Sequence, residues 1–246
     1  MKILIIIPAR MESSRFPGKP LKKINGTPMI EMIYKKLIKN KNKNHDVYVA
    51  TCNKEIQSHI IGIGGKSIIT SKKHKRATDR CAEALDKIEL KENCKYDLVT
   101  MVQGDEPLVN NKMIQQSTSP FKNKKINIVN LMGKISKKEY LDKDCIKIVK
   151  DNFNNALYFS RKPIPFFSNK MKAKLFKQIC IITFKKSFLK KYIKMKPTPL
   201  EILESIDMLR ILENGYDIKL VKTNEVSIAV DRIKDIKKVE NFLNKK

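Results

Sequence analysis

The stretch KILIIIPARMESSRFPGKPL (residues 2–21) joins a predicted strand to a basic loop. Residues 2–7 (KILIII) are almost entirely apolar, which is typical of a strand that is buried on both faces of a sheet. We expect Pro8 to end this strand. The loop that follows is polar and is bent by Pro17 and Gly18. A doubly buried strand that leads directly into such a loop indicates the beginning of an α/β fold.

Strand and helix patterns alternate along the rest of the first half. Apolar residues recur at helical intervals after Pro28 (MIEMIYKKLIK), and a short apolar strand pattern, DVYVAT (46–51), comes next. The remaining segments predicted in this half are helices near 54–61 and from Thr78 to about Ile88, and strands at 67–70 and 97–102. This alternation predicts an α/β fold with a mostly parallel sheet flanked by helices.

The second half is less regular, although its elements are still recognisable. A helix is predicted over residues 199–215, with Pro199 in its first turn and Gly215 at its end. A terminal helix is predicted from about Ile233, and strands are predicted at 126–132, 145–150, 156–159, 179–184 and 218–223. No linker rich in Gly, Pro or Ser divides the chain. We therefore expect one domain over residues 1–246, with a small β-rich lobe inserted roughly within 130–200.

The net charge of +27 raises nucleic-acid binding as one alternative function. Only seven of the 52 basic residues are arginine, however, and the lysines are spread over the whole chain. This distribution is more typical of coding bias and a solvated surface than of a built binding face. No membrane-length apolar run and no paired-cysteine motif occurs, so we expect a cytoplasmic protein without disulfides or a zinc site.

Three cations in the first loop, Arg10, Arg15 and Lys19, are candidates for binding phosphate. Ligands of open α/β sheets bind outside the carboxyl ends of the strands, where this loop is predicted to lie. Cationic side chains on a bent backbone can surround a triphosphate. The loop does not match GxxxxGK[ST], which disfavours an ATPase of that class. An ordinary solvated basic loop is the alternative interpretation.

Two acidic segments provide candidates for holding Mg²⁺. Asp105 and Glu106 of QGDEP follow the strand predicted at 97–102 directly, and Asp231 ends the apolar run SIAVD. Mg²⁺ is commonly held by one or two carboxylates together with substrate phosphates. The alternatives are that the DE pair is part of a surface turn and that Asp231 caps the last helix.

The motifs PARMESSRFPGKPLKKINGTPMI, HKRATDR, VQGDEP, ALYFSRKPIPF, PTPLEILE and VSIAVD occur in this order along nearly the whole chain. Together they resemble the 3-deoxy-manno-octulosonate (Kdo) cytidylyltransferases. The resemblance implies a Rossmann-like nucleotidyltransferase fold and a cytoplasmic homodimer built largely through the small lobe. It also implies transfer of CMP from CTP to Kdo, with release of pyrophosphate, for bacterial lipopolysaccharide or another surface glycan. Mg²⁺ is the implied cofactor, with no nucleic-acid or membrane partner.

The resemblance also implies roles for individual residues. Arg10, Ser13 and Lys19 would contact the phosphates of CTP, and Arg10, Lys19 and Asp105 would be catalytic. Thr78 and Arg80 would lie on the nucleotide, while Asp105 and Asp231 would hold Mg²⁺. The implied sugar-binding residues are Gln103, Arg161, Gln178, Glu201 and Glu204. For Glu201 and Glu204 the alternative is that they only stabilise the start of a helix through its dipole.

Two motifs depart from the family pattern. Arg76 and Ala77 stand where the family has small residues before the Thr-Asp-Arg sequence. In QICIITFK, the residues Gln178, Cys180 and Ile182 replace the family's His, Gly and Tyr. Kdo therefore has competitors as the substrate, namely an amino-substituted Kdo (8-amino-Kdo) or another nonulosonic acid. A nucleotidyltransferase fold that has lost its activity, and a basic protein that binds nucleic acid, also remain open as interpretations of this sequence.

Overall fold

The computed structural model describes residues 1–12, 15–39, 45–166 and 174–245. The strands are β1 (Ile3–Ala9), β2 (Lys23–Ile24), β3 (Thr27–Pro28), β4 (His45–Thr51), β5 (Ser67–Ile69), β6 (Leu98–Val102), β7 (Ile128–Lys134), β8 (Lys147–Lys150), β9 (Ala156–Ser160), β10 (Phe176–Lys185) and β11 (Lys219–Lys222). The α-helices are α1 (Met29–Ile38), α2 (Lys54–Gly62), α3 (Ala77–Lys91), α4 (Asn111–Thr118), α5 (Lys137–Leu141), α6 (Lys186–Tyr192), α7 (Pro199–Glu204), α8 (Asp207–Glu213) and α9 (Ile233–Leu243). Short 3₁₀ turns occur at Lys19–Leu21 and Ser119–Lys122.

The main sheet has the strand order β11-β7-β10-β6-β1-β4-β5. β1 is parallel to both of its neighbours, β4 and β6, and the pairs β4–β5 and β7–β11 are also parallel. β10 runs antiparallel between β6 and β7. The predicted α/β fold with a mostly parallel sheet flanked by helices is therefore confirmed.

β1 lies in the middle of two hydrophobic layers. Leu4 and Ile6 pack into one core cluster, and Ile5 and Ile7 pack into the other. Successive side chains of a strand point to opposite faces, so a strand covered on both faces must be apolar at every position. This requirement explains the unbroken apolar run at the start of the chain.

The prediction that Pro8 ends the first strand is wrong, because β1 continues through Pro8 to Ala9. Pairing between β1 and β6 extends only to Ile6, whereas pairing between β1 and β4 continues to Ala9. Beyond Ile6 one edge of β1 has no neighbouring strand. A proline is tolerated at such a position because its missing N–H removes no ladder hydrogen bond.

The single helix predicted over residues 199–215 is also wrong, because the chain forms α7 and α8 with a break at Ser205. Ser205 has a left-handed φ of 54°. Its hydroxyl accepts a hydrogen bond from Arg76, and its carbonyl accepts one from Arg161. The apolar periodicity passes through the break unchanged. Contacts with distant parts of the chain hold the break, which explains why the local pattern does not reveal it.

The small β-strands β8 and β9 join the sheet through one end of β10. β8 pairs antiparallel with β10, and β9 pairs antiparallel with β8. The pairing of β10 with β7 shifts register between Gln178 and Ile182, which marks a bulge or irregularity in the middle of the strand. Such irregularities are frequent beside functional sites, because they redirect side chains. The division of the chain into a main body and an inserted lobe remains a prediction.

The helices in the described part of the chain include none that is long and apolar enough to cross a membrane.

Candidate functional site

A group of polar side chains surrounds a cavity of about 470 Å³ at one edge of the sheet. The loop after β1 and the turn after β6 both contribute to its wall. β1 and β6 are neighbouring parallel strands, so their carboxyl ends meet at this edge. The cavity therefore lies where ligands of open α/β sheets bind.

Gly104 allows the acidic turn to approach β1 closely. A Cβ atom at this position would lie 3.1 Å from the carbonyl oxygen of Pro8, which is tighter than ordinary contact. With a hydrogen atom in its place, the turn packs directly against the end of β1. The next residue, Asp105, is thereby brought beside the first loop.

Asp105 forms an ion pair with Lys19 of the first loop. The Lys19 Nζ atom lies 2.9 Å from Oδ2 of Asp105. Burial of Lys19 opposes its protonation, but the charge of Asp105 outweighs this effect and raises the pKa of Lys19. The second carboxylate oxygen, Oδ1, is buried and has no hydrogen-bond partner among the described residues. A buried carboxylate oxygen without a donor is costly and fits a position that a cation occupies.

Asp231 is brought to the same place by the backbone. The N–H of Val230 donates to the carbonyl oxygen of Asp105 at 2.9 Å, so the two acidic residues are held side by side. Burial, together with the charge of Asp105, raises the pKa of Asp231. Arg15 partly balances this charge, with its Nη2 atom 3.0 Å from Oδ1 of Asp231. Two neighbouring carboxylates favour a shared cation, because its charge offsets their mutual repulsion.

The residues at this edge fit Mg²⁺ in number and kind. Asp105 and Asp231 supply carboxylate oxygens, and one of these oxygens lacks a partner. Within the described ranges, no group of three or more His, Cys, Asp or Glu side chains forms a metal-binding cluster. Mg²⁺ does not require such a group, because waters and substrate phosphates commonly complete its octahedron. The alternative that Asp231 caps the last helix is not observed, since Arg232 occupies the N-cap position of α9.

Glu106 anchors the acidic turn through hydrogen bonds to neighbouring segments. Its carboxylate is buried and accepts hydrogen bonds from the Ser227 hydroxyl at 2.8 Å and the Cys180 N–H at 3.1 Å. Burial and the charge of Asp105 raise the pKa of Glu106 to about 7. Glu106 thus links the turn to β10 and to the segment that precedes Asp231. The sequence pattern identified Glu106 as an acid at a strand end but gave no sign of this supporting role.

Three of the predicted nucleotide-binding residues, Arg10, Thr78 and Arg80, lie around the start of α3. Arg10 and Arg80 line a small cavity of about 120 Å³ between the end of β1 and this helix. Arg80 is buried and donates to the Thr70 hydroxyl at 2.5 Å. Thr78 is fully buried, and its hydroxyl donates to Asp207 at 2.8 Å. Ser13, the remaining predicted contact, lies outside the described residues.

Three of the predicted sugar-binding residues lie together. Gln103, Arg161 and Gln178 line both the main cavity and an adjoining cavity of about 190 Å³. The Gln178 side-chain amide donates to Asn130 at 2.6 Å, which fixes its orientation. The structure therefore brings these three side chains to the boundary between the two cavities.

The other two predicted sugar-binding residues, Glu201 and Glu204, do not line these cavities. Glu201 is fully buried, and its two oxygens accept hydrogen bonds from Arg210 at 2.5 and 2.6 Å. Glu204 accepts hydrogen bonds from the Ser160 hydroxyl and the Arg161 N–H. Both carboxylates thus have protein partners, and their contact with a sugar remains a prediction.

Sequence reasoning missed several charged residues that line the main cavity, and two of them, Asp144 and Arg232, contact each other beside Arg15. Arg15 was recognisable as a cation of the first loop. Asp144 gave no signal, because it lies 129 residues from Arg15 in the chain and meets it only in the folded protein.

His74 of the HKRATDR motif also lines the small cavity, where Glu83 holds its ring. Burial opposes ionisation of Glu83, but contacts with Lys87, Ser71 and His74 outweigh it and lower the pKa of this carboxyl to about 2. The ionised Glu83 carboxylate therefore stabilises the fold fully at a pH above about 4.3, the pKa of a glutamate in the unfolded chain. This stabilisation is lost as the pH falls toward 2.

We expect Glu83→Gln to lower the free energy of unfolding by about 1 kcal/mol at pH 7 and by much less at pH 2.5. Urea unfolding at the two pH values measures this difference. Glu55→Gln, in the exposed face of α2, is the control and should have little effect at either pH. An equal loss of stability for Glu83→Gln at both pH values would contradict the predicted pKa.

Comparison with known proteins identifies relatives along nearly the whole chain. The family model described as "Cytidylyltransferase" matches residues 4–222. A 3-deoxy-manno-octulosonate cytidylyltransferase from Fusobacterium nucleatum is 40% identical over 245 residues, which cover 99% of this chain and 97% of that protein. The enzyme of the same name from Geobacter metallireducens is 36% identical over 258 residues, covering 100% of this chain and 99% of the relative. Among solved structures, CMP:2-keto-3-deoxy-manno-octonic acid synthetase complexed with CTP superposes with a TM-score of 0.88 at 30% identity, covering 100% and 99% of the two chains.

Proposed function

The chain belongs to the 3-deoxy-manno-octulosonate cytidylyltransferase family, and from this premise we propose that it transfers CMP from CTP to the anomeric hydroxyl of Kdo. The products are CMP-Kdo and pyrophosphate. Membership of this family favours transferase activity over nucleic-acid binding, the alternative that the net charge raised. The observation that supports the proposal best is the pair Asp105 and Asp231, held beside Lys19 and Arg15 at the carboxyl ends of β1 and β6.

In the proposed reaction, the anomeric oxygen forms a bond to the α-phosphorus of CTP while the bond from that phosphorus to the bridging oxygen of pyrophosphate breaks. The hydroxyl proton is lost to solvent. Such transfers depend mainly on positioning and on charge stabilisation. No covalent intermediate on the protein is required, so the residues of the site need only bind, orient and stabilise charge.

Asp105 and Asp231 would hold Mg²⁺ through their carboxylate oxygens. When bound there, Mg²⁺ neutralises phosphate charge and makes the attacking hydroxyl more acidic. The unpartnered Oδ1 atom of Asp105 supports this assignment. Lys19 and Arg10 would bind the phosphates and stabilise the leaving pyrophosphate, with Ser13 as a further predicted contact. In this proposal Lys19 exchanges its ion pair with Asp105 for a phosphate oxygen.

The adjoining cavity is proposed to receive the sugar. Arg161 is held there by hydrogen bonds from its side chain to the backbone carbonyls of Glu204, Lys143 and Ser205. A fixed guanidinium is well suited to a ligand that carries a carboxylate. Gln103 and Gln178 supply amide groups that can hydrogen-bond hydroxyls. Glu201 and Glu204 would influence the sugar indirectly, through Arg161 and the start of α7.

A related ulosonic acid is the alternative substrate. Gln178, Cys180 and Ile182 all line the adjoining cavity, and these are three of the positions at which the sequence departs from the family pattern. Cys180 and Ile182 fill space with apolar groups, whereas the family's tyrosine would offer a hydroxyl. A site that hydrogen-bonds hydroxyls rejects an analogue lacking one by a large factor. An amino-substituted Kdo or another nonulosonic acid therefore stays in the set of substrates to test.

We further propose a cytoplasmic homodimer, as the resemblance implies. Large apolar side chains are exposed beside β8 and β9, including Phe153 and Leu157, which are 75% and 59% exposed. Exposed apolar groups that lie near one another are typical of protein interfaces. The described structure contains one chain, and the elution volume on a calibrated column with light scattering would measure the mass directly.

We expect pyrophosphate release to require CTP, Mg²⁺ and an ulosonic acid together. The values of kcat/KM for Kdo, 8-amino-Kdo and a nine-carbon nonulosonic acid should be compared, and we expect the value for Kdo to be the highest. With Kdo as the sugar, we expect CTP to be preferred over ATP. EDTA should abolish the reaction. A higher kcat/KM for a relative would replace Kdo as the substrate, and absence of turnover with every sugar would favour a fold that has lost its activity.

A further inference from the structure

Four charges of alternating sign form a row along one wall of the main cavity: Asp231, Arg15, Asp144 and Arg232. Arg15 contacts Oδ1 of Asp231 at 3.0 Å and Oδ1 of Asp144 at 2.5 Å. Arg232 contacts Oδ2 of Asp144 at 2.5 Å. The row joins the first loop, the segment before β8 and the segment before α9. Asp231 is the one member to which the proposed reaction assigns a role.

Arg15 divides its guanidinium between two acids. Nη1 binds Asp144 and Nη2 binds Asp231, so one contact can break while the other remains. Asp144 is fixed independently, because Arg232 uses its other carboxylate oxygen. The side chain of Asp144 is only 10% exposed, which limits competition from water for these contacts.

A cation on Asp231 competes with Arg15. As long as Arg15 pairs with Oδ1 of Asp231, this oxygen is less available to a divalent ion, and two cations in close contact repel each other. Asp144 offers Arg15 an anionic partner that is already in contact. The cost of releasing Asp231 is therefore lower than it would be if Arg15 had to move into solvent.

We propose that Asp144, fixed by Arg232, is a positioning residue that retains Arg15 at the cavity wall when Arg15 gives up Asp231 to a divalent cation. The inference rests on the proposed function, since it takes Asp231 as a ligand of the metal. Arg15 then stays beside the cavity as a cation for the nucleotide phosphates. Asp144 acts through Arg15 and touches neither the metal nor the substrate.

The test measures binding of Mn²⁺, as a probe for the Mg²⁺ site, by electron paramagnetic resonance of the full chain without nucleotide. Asp144→Asn should weaken Mn²⁺ binding about tenfold, which corresponds to about 1.4 kcal/mol, because Arg15 then has only Asp231 as a charged partner. Asp142→Asn is the matched control. Asp142 lines the same cavity and loses the same charge, and it forms no ion pair with the described residues. Its carboxylate accepts a hydrogen bond from the Asp144 N–H at 3.0 Å, and the asparagine amide oxygen can still accept it. Its Mn²⁺ affinity should stay within about twofold of the wild type.

Repeating the measurement in the Arg15→Gln variant distinguishes an effect of Asp144 through Arg15 from a general effect of lost negative charge on Mn²⁺ affinity. If Asp144 acts through Arg15, adding Asp144→Asn to Arg15→Gln should change Mn²⁺ affinity little. In the Asp144→Asn enzyme, raising the Mg²⁺ concentration should restore kcat of the CTP reaction. Circular dichroism verifies that each variant is folded.

Equal losses of Mn²⁺ affinity in Asp144→Asn and Asp142→Asn would overturn the inference, as would an undiminished effect of Asp144→Asn in the Arg15→Gln background. In both cases the wild type would still bind Mn²⁺ and release pyrophosphate, so the proposed function would stand. A wild-type protein that neither binds Mn²⁺ nor releases pyrophosphate would overturn the proposed function and this inference with it.

Discussion

Asp105→Asn is expected to reduce kcat by at least about three orders of magnitude, which corresponds to a loss of about 4 kcal/mol in transition-state stabilisation. The amide has nearly the same shape as the carboxylate but lacks its charge. It therefore removes a ligand of the proposed metal site and the counter-charge of Lys19, which lies 2.9 Å away. Steady-state kinetics with CTP and Kdo measures the change, and urea unfolding of the same preparation reports on the fold.

Asp142→Asn is a suitable control for this experiment as well, because Asp142 lines the same cavity and is exposed. Its turnover should remain within a few-fold of the wild type. Near-normal turnover of Asp105→Asn at low Mg²⁺ would contradict the assignment of Asp105 as a ligand. Loss of the fold in Asp105→Asn would instead point to a structural role for its ion pair with Lys19.

Glu201→Gln is expected to lower the free energy of unfolding by about 3 kcal/mol, because it removes the carboxylate that binds buried Arg210 directly and leaves that charge with Asp79 at 3.9 Å. Arg210 is 4% exposed and uses two nitrogens to bind the two oxygens of Glu201. The guanidinium also lies over the ring of Tyr192, 4.6 Å from the centroid, and so has no easy route to solvent. Urea unfolding measures the loss.

The same variant tests the predicted sugar contact of Glu201. If its main role is to pair with Arg210, Glu201→Gln should lose stability while the KM for the sugar changes little at a temperature where the protein is folded. Glu55→Gln provides the control for an exposed helix acid. Unchanged stability together with a large increase in the KM for the sugar would contradict the structural role and support direct contact.

The fold was predictable to a large extent because the apolar residues within each main element show which of its faces are buried. β1 must be apolar at every position, since it is covered on both faces, and this is visible in KILIII without further information. The helical spacing of α1 and α3 follows from packing one face of each helix against the sheet. The prediction for Pro8 is wrong because the effect of a proline in a strand depends on where the neighbouring strand stops. The break at Ser205 was missed because Arg76 and Arg161 hold it from far away in the chain.

The residues of the candidate site were predictable where charged side chains come directly after a strand in the sequence. Asp105 and the basic first loop both come directly after strands that are neighbours in the sheet, so their meeting follows from the α/β pattern. Asp231 was identified in the same way, from an acid at the end of an apolar run. By contrast, the partners that determine whether an acid is available for a ligand cannot be deduced from spacing. Glu201 is an example, since its pairing with Arg210 is a property of the packed α7 and α8.

The sequence by itself determined the class of fold, the edge of the sheet that bears the site, and the acids and cations that follow strand ends or apolar runs, namely Asp105, Asp231 and the cations of the first loop. These follow from hydrophobic periodicity and from residues adjacent to strand ends, and both are local properties of the chain. The tertiary structure alone decided which charges pair. Arg15 meets Asp144 across 129 residues, and Lys19 meets Asp105 across 86. Coulomb energy depends on distance in space and on burial, and neither quantity is written in the order of the residues.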